Sequence, residues 1–467
     1  MGVVSMKLPF LNRESEKARL DAAFSAATSS FVCLYGRRRC GKSRLLLELL
    51  PSLTAVYYVA DERDANIQRR ALAKEIGRLI PGFERVEYPE WPDLLERWYT
   101  DAPAGSVLVI DELPFLVSAS PELPSVMQKI MDKAHEKPVH IAVCGSSQRM
   151  MHGLVLDASA PLYGRAAEIL KIQPLAPFYL TSILSEASPH DWIRAWAFWG
   201  GIPRYWELAL ENDPAMSAIT QLVLDPMGVL HHEPRRLLTD ELIEIRQAAS
   251  ILSLIGQGCR RLSEIAGRIG RPATSLTRPL ALLIDMGLVH RETPFNASHR
   301  DTKRSLYRIA DPFLQFWFTF VEPNTSLLQA GRMELVAKGI DGKLPAYIGH
   351  VWEELARASV PKIAIRETDW HPASTWWGKG IDGSPLEIDI IARSFSDPNH
   401  FLCGEVKASA DPGDIPALVS DLKHRAAQCP EIARKKISYA LWIIEAPAFD
   451  VKECELIDAK TVFNALR

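Results

Sequence analysis

The chain has no C-x-x-C pair, and no run of apolar residues approaches the ~20 needed to span a bilayer. Its seven cysteines stand at 33, 40, 144, 259, 403, 429 and 454, spacings that suggest no disulfide framework. Reduced thiols and a cytoplasmic location are expected, with no membrane partner. The first residues show no charged segment leading into a long apolar stretch, so no secretion signal is expected. There is no internal repeat and no low-complexity tract. A large excess of one charge is also missing: the net charge is −3, so any DNA or RNA surface must be regional. What is present is an ordinary globular composition, 47% apolar and 24% charged, spread over 467 residues. That length exceeds one core and predicts about three domains.

The stretch that organises the rest is Phe31-Val-Cys-Leu-Tyr-Gly36-Arg-Arg-Arg-Cys-Gly41-Lys42-Ser43-Arg-Leu-Leu-Leu. It reads as strand, glycine loop, helix, the context that gives G-x-x-x-x-G-K-[ST] its meaning. The glycines let successive N–H groups turn inward around a phosphate, and the helix adds its positive end. The loop residues Gly36, Arg37, Arg38, Arg39, Cys40, Gly41, Lys42, Ser43 and Arg44 are therefore expected to bind ATP. Lys42 should reach the β- and γ-phosphates, and Ser43 should ligate Mg²⁺.

A second signal is Ser106-Val-Leu-Val-Ile-Asp111-Glu112, a buried strand ending in two carboxylates. Paired acids there are costly unless a cation is near. Asp111 is expected to hold Mg²⁺ through water and Ser43, and Glu112 to orient and deprotonate the attacking water. Val139-His-Ile-Ala-Val-Cys144-Gly-Ser146-Ser147 is a further strand with polar residues at its end. Either Ser146 or Ser147 would sense the γ-phosphate, and one of the two could instead cap a helix. Arg165 precedes a fifth strand, Glu168–Ile172; it suits a γ-phosphate contact in the same or a neighbouring subunit, and equally a surface ion pair.

Beyond residue 175 the pattern is helical and Trp-rich, with Trp192, Trp196 and Trp199 on one face and a break at Gly200-Gly201-Ile202-Pro203. From Arg260 to Arg308 ten Arg/Lys face four Asp/Glu. Two short helices, a turn at Gly270-Arg-Pro272 and two strands around a polar loop give the order of a winged helix-turn-helix. Arg271, Thr274, Ser275 and Arg278 could face a DNA groove, with His299, Arg300, Lys303 and Arg304 in the wing. A protein-to-protein joint fits the same order. Asp311–Phe318 reads as an aromatic packing seam.

The last 125 residues carry Asp389 on one strand and Glu405 and Lys407 on the next, two apart and so on one face. Two carboxylates on neighbouring strands can hold a divalent metal. With Lys407 beside them, and Glu353 rather than Glu354 from the preceding helix, they make a D…E-x-K nuclease core.

These residues resemble the archaeal-type ATPases of the STAND group of P-loop NTPases. The resemblance is carried by Phe10-Leu-Asn-Arg-Glu14, Tyr35-Gly-Arg-Arg-Arg-Cys-Gly-Lys-Ser43, Ile110-Asp-Glu-Leu-Pro114, Cys144-Gly-Ser-Ser147, Pro161-Leu-Tyr-Gly-Arg165 and Gly200-Gly-Ile-Pro203. It implies that Gly201-Ile-Pro203 is a lid motif near the adenine and that Pro203 contacts nucleotide. It implies that the C-terminal unit resembles PD-(D/E)XK domains, although Asp389 follows Ile388 rather than Pro. Asn12 stands where the family usually has Gly, and Cys40 where it often has Val or Ile. The expected architecture is α/β. A parallel P-loop core spans residues 1–174, a helical lid 175–238 and a winged helix 239–322. A linker or docking helix at 323–342 leads to a smaller α/β nuclease-like domain at 343–467. The expected activity is an ATP-driven switch acting on a nuclease-like domain and on DNA or RNA. An ATP-dependent DNA-binding regulator and a homo-oligomerising signalling ATPase are the alternatives.

Overall fold

The computed structural model describes residues 8–133, 137–211, 216–241, 245–298, 304–447 and 451–467. Strands β1 (Phe31–Tyr35), β2 (Ala55–Val59), β3 (Ser106–Asp111), β4 (Val139–Gly145) and β5 (Glu168–Lys171) form one sheet in the order β2-β3-β4-β1-β5. All four pairings are parallel. Parallel strands are joined by crossovers that cover both faces, and β3 and β4 are accordingly buried at every position. Alternation along β1 feeds two cores. Phe31 and Cys33 pack with Leu108, Ile110 and Ile141; Val32 and Leu34 pack with Val107, Val109 and Ala142. β4 lies between β1 and β3, so the carboxyl ends of all three open on one edge.

The second of these cores does not stop at the sheet. One continuous buried cluster takes in Trp199, Phe198 and Ile202, then Ile251, Leu283 and Phe316, then Trp352 and Trp442, and ends at Leu466. The units read as successive domains are welded along a shared interior. The segment expected as a linker or docking helix takes part. It forms helices Thr325–Gln329 and Met333–Asp341, with Leu328, Val336 and Ile340 buried. The apolar spacing of these residues wins over the polar Glu322-Pro-Asn-Thr-Ser326 start that suggested a connector.

Helices Ile245–Gly256, Leu262–Ile269 and Thr277–Asp285 are followed by an antiparallel hairpin of β6 (Val289–Glu292) and β7 (Leu306–Ile309). Helix Leu344–Ser359 then leads into a mixed sheet, β8 (Ser374–Lys379), β9 (Pro385–Arg393), β10 (His400–Lys407), β11 (Lys436–Ile443) and β12 (Cys454–Ile457), laid side by side in reverse chain order. β8 to β10 pair antiparallel and β10 to β12 parallel. Helix Ile415–Gln428 covers one face. The last helix, Ala459–Ala465, returns to the Trp-rich region: the Trp192 and Phe463 rings lie 5.8 Å apart, and Phe178 N donates to Leu466 O at 3.3 Å.

Candidate functional site

The loop after β1 is built on Gly36 and Gly41. Gly36 has φ 145°, and a Cβ there would stand 2.4 Å from Ile172 O. Gly41 sits left-handed at φ 92° as the N-cap of helix Lys42–Leu49. Side chains resist such angles, so both positions call for glycine. Lys42 is buried, and its Nζ donates to Gly36 O at 2.8 Å and Arg37 O at 3.1 Å, folded along the loop.

The loop floor belongs to one cavity of about 300 Å³. Arg38, Arg39, Cys40, Gly41, Lys42, Ser43 and Arg44 line it from the loop, and Glu112 and Ser146 from the neighbouring strands. Its apolar side comes from Phe10, Leu11, Leu175 and Pro203. Gly201 sets the approach of Pro203. A Cβ at Gly201 would lie 2.2 Å from Leu175 O, and Leu175 N donates to Gly201 O at 2.7 Å.

Asp111 is buried at the end of β3. Its Oδ1 accepts from Glu112 N at 2.9 Å and its Oδ2 from the Tyr57 hydroxyl at 2.5 Å. Burial first, and then the Asp111 charge, raise the Tyr57 pKa, so the phenol stays a donor. Ser43 acts on the same hydroxyl in the opposite sense, lowering its pKa. Ser43 and Asp111 both act on the Tyr57 hydroxyl and offer a hydroxyl and a carboxylate oxygen, donors of the type Mg²⁺ takes. Glu112 holds φ 56°, a strained angle for a side-chain-bearing residue and one that turns it off the strand. Ser146 holds it there: Ser146 N donates to Glu112 Oε2 at 3.1 Å, and Ser146 Oγ donates to Oε1. Ser147 accepts from Met150 N at 3.3 Å and caps helix Gln148–Met151, outside the cavity.

Several candidates are directed elsewhere. Gly36 and Arg37 do not line the cavity. Arg37 is buried, and its guanidinium pairs with Asp311 and donates to the Tyr205 hydroxyl at 3.4 Å. Burial opposes its charge, but Asp311, Tyr205 and Cys40 together outweigh burial and raise the pKa. Arg39, besides lining the cavity, pairs with the buried Glu233 at 3.3 Å. Two loop arginines therefore tie to helices outside the sheet rather than reaching for phosphate. Arg165 makes a two-pronged pair with Asp132, at 2.9 and 2.8 Å, on the surface. The surface ion pair is what its neighbours allow.

Near the hairpin, Arg304 donates to Trp377 O of β8 at 3.0 Å, and Phe295 N to Thr375 O at 2.9 Å. The hairpin rests on the C-terminal sheet instead of standing open. His299, Arg300 and Lys303 lie outside the described residues. Arg271, Thr274, Ser275 and Arg278 are exposed along the third helix and the turn before it.

In the C-terminal sheet, the register that pairs Gly404 with Ile390 sets Glu405 beside Asp389. Asp389 accepts from Val406 N at 3.0 Å, and burial followed by the Glu405 charge raises its pKa to about 7. Glu405 is already met by two cations, Lys407 at 2.8 Å and Arg425 at 2.7 Å. Glu353 faces His350 at 3.3 Å and Arg357 at 4.0 Å. These belong to an ion cluster with Arg308 and Glu292 of the hairpin. Among the described residues no three His, Cys, Asp or Glu side chains are grouped to hold a metal. Asp389, Glu405 and Lys407 are thus brought together, and Asp389 feels the charges of Glu405 and Glu353, while basic neighbours pair with Glu405 and Glu353.

Residues that sequence reasoning passed over also shape the site. Tyr57 lies in β2, whose apolar pattern does not single it out. Arg13, in the Phe10-Leu-Asn-Arg-Glu14 box, donates to Cys40 O at 3.2 Å and Gln173 O at 2.5 Å, clamping the loop to the end of β5. Asn12 is left-handed at φ 60°, which explains why glycine suits that position.

Comparison with known proteins agrees with this geometry over the first part of the chain. Residues 10–208 match the model of an ATPase domain found predominantly in archaea. The likeness to that ATPase family covers the first part of the chain. Residues 317–417 match a family of archaeal and bacterial proteins of unknown function. An uncharacterized protein of Methanocaldococcus jannaschii is 29% identical over 397 residues, covering 83% of this chain and 85% of its own length. The Walker-type ATPase of Pyrococcus abyssi superposes with a TM-score of 0.50 at 20% identity, over 66% of this chain and 96% of that one, a likeness of fold. No helix among the described residues is long and apolar enough to cross a membrane.

Proposed function

We propose that the chain binds ATP with Mg²⁺ in the cavity at the carboxyl edge of the first sheet, hydrolyses it, and uses nucleotide state to govern contact with DNA. One observation carries this reading: the phosphate loop, Glu112, Ser146 and the lid residue Pro203 line a single cavity of about 300 Å³. Ser43 and Asp111 would hold the Mg²⁺, which supplies charge neutralisation at the phosphates. The chain's own groups do the rest. The loop N–H groups and the helix N-terminus receive the phosphates. Lys42 exchanges its bonds to Gly36 O and Arg37 O for phosphate oxygens. Phe10, Leu11 and Pro203 take the base. Glu112, held by Ser146, accepts the proton of the attacking water. Arg37 and Arg39 pass loop movement to Asp311 and Glu233.

DNA is the partner favoured by the helix-turn-helix order and by the exposure of Arg271, Thr274, Ser275 and Arg278. The C-terminal carboxylates do not fit a catalytic metal as they stand, since Glu405 is neutralised by Lys407 and Arg425 and Glu353 by its own cluster. No phosphodiester cleavage is derived from them, and the DNA-binding regulator is preferred over the ATP-gated nuclease. The ATP site is tested by Lys42→Ala in equilibrium binding of ATP with Mg²⁺. Affinity should fall by at least about tenfold, the loss of one charge-assisted contact. Unchanged affinity would place the nucleotide elsewhere.

A further inference from the structure

Four consecutive residues join the proposed catalytic acid to a basic cleft. Ser146 holds Glu112 through Oγ and N. Ser147 caps the helix that follows. Gln148, buried, donates from Nε2 to Met286 O at 3.3 Å, at the end of helix Thr277–Asp285. Arg149 is exposed and shares a cleft of about 680 Å³ with Arg271 and Arg278. Among the described residues, Asp285 is the one acidic residue lining it. The cleft therefore has two walls, one from the ATPase domain and one from the helix-turn-helix, and among its described residues three guanidiniums stand with one carboxylate. Guanidiniums arranged this way suit a line of phosphates, each able to take paired N–H donors.

We propose that this cleft seats the phosphate backbone of duplex DNA, that Arg149 is a DNA contact supplied by the ATPase domain, and that the segment Ser146–Arg149 transmits DNA binding to Glu112. The inference rests on the DNA-binding reading above and adds a contact outside the helix-turn-helix together with a route to the catalytic acid. The route is short and stiff. A backbone phosphate that draws Arg149 toward Arg271 and Arg278 acts on a single helical turn. Ser147 anchors the start of that turn and Gln148 its far contact, so the displacement arrives at Ser146. Gln148 and Ser146 are positioning residues, since neither touches DNA.

The test measures duplex binding by fluorescence anisotropy at low and moderate salt, and ATP turnover with and without the same duplex, in the full chain. Wild type should bind, with affinity falling steeply as salt rises, and its turnover should rise several-fold with DNA. Arg149→Ala should reduce the salt slope by about one, the share of one phosphate contact, and bring the stimulation ratio close to one. Arg149→Lys should recover much of both. Gln148→Ala should keep the binding and lose the stimulation. Wild type that hydrolyses ATP but retains no duplex at low salt overturns this inference and the DNA part of the proposed function. Binding and stimulation that persist unchanged in Arg149→Ala overturn this inference alone. An absence of ATP turnover in wild type overturns the proposed function itself.

Discussion

Replacing Asp311 by alanine removes two interactions at once. The carboxylate caps helix Pro312–Phe316 by accepting from Leu314 N at 2.7 Å, and it pairs with Arg37 of the phosphate loop. Loss of a cap costs about 1 kcal/mol. The larger effect is on Arg37, whose side chain is only 8% exposed. A buried charge stripped of its partner costs about 3–5 kcal/mol. The single variant should therefore lose about 4–6 kcal/mol. Asp311→Asn keeps an oxygen for the cap and should show the charge part by itself. Arg37→Met combined with Asp311→Ala removes the stranded charge and should cost only about 1–2 kcal/mol, since apolar replacement of a buried pair is often near neutral. The assay is urea unfolding followed by tryptophan fluorescence. The midpoint and slope of the transition are compared between variants, because a chain with several units need not unfold in one step. A loss below about 1 kcal/mol in Asp311→Ala, or a double variant as unstable as the single, would refute the claim that this pair welds the loop to the helices.

Two pH effects follow from the other ion clusters. At Glu292 burial favours the neutral acid, but His290, Arg308 and Arg357 outweigh it and lower the pKa from 4.5 to about 2. A depressed folded pKa gives stability that is present above 4.5 and lost as pH falls toward about 2; its full size is about 3 kcal/mol. Glu292→Gln should therefore be less stable than wild type at neutral pH, and the gap should narrow on acidification. A gap independent of pH would contradict the pairing. Asp389 behaves in the opposite sense, its pKa raised from 3.8 to about 7 by burial and then by Glu405. Stability tied to its proton is present below 3.8 and lost as pH rises through about 7, so Asp389→Asn should gain on wild type by up to about 4 kcal/mol between pH 4 and 8. Thermal melts across that range check it, and parallel curves for the two proteins would count against it.

Much of the candidate nucleotide site is legible because its parts are local. A strand, a glycine loop and a helix start lie within one short stretch, and Asp111 and Glu112 end an apolar run that could only be a buried strand. What the pattern could not give was partnership across long separations. Arg37 and Asp311 are 274 positions apart, and nothing in Gly36-Arg-Arg-Arg-Cys40 distinguishes an arginine that faces phosphate from one that faces a distant carboxylate. Tyr57 was hidden for a related reason, since its strand reads as apolar and its hydroxyl matters only once β2 lies beside β3. The D…E-x-K pattern placed Asp389 and Glu405 on adjoining strands. It could not show Arg425, which arrives from helix Ile415–Gln428, or the basic cluster that takes Glu353. For helices Thr325–Gln329 and Met333–Asp341 the sequence leaves linker and docking helix open, because burial there depends on a core assembled from the whole chain.

The central claim is that Glu112, held by Ser146 beside the phosphate loop, is the base for ATP hydrolysis. Glu112→Gln keeps the size and the acceptor oxygen but cannot take the proton. Steady-state turnover should fall by about 10²–10⁴, the usual contribution of a positioned base, while the dissociation constant for ATP with Mg²⁺ stays within a few-fold of wild type. A variant that hydrolyses ATP as fast as wild type would contradict the account.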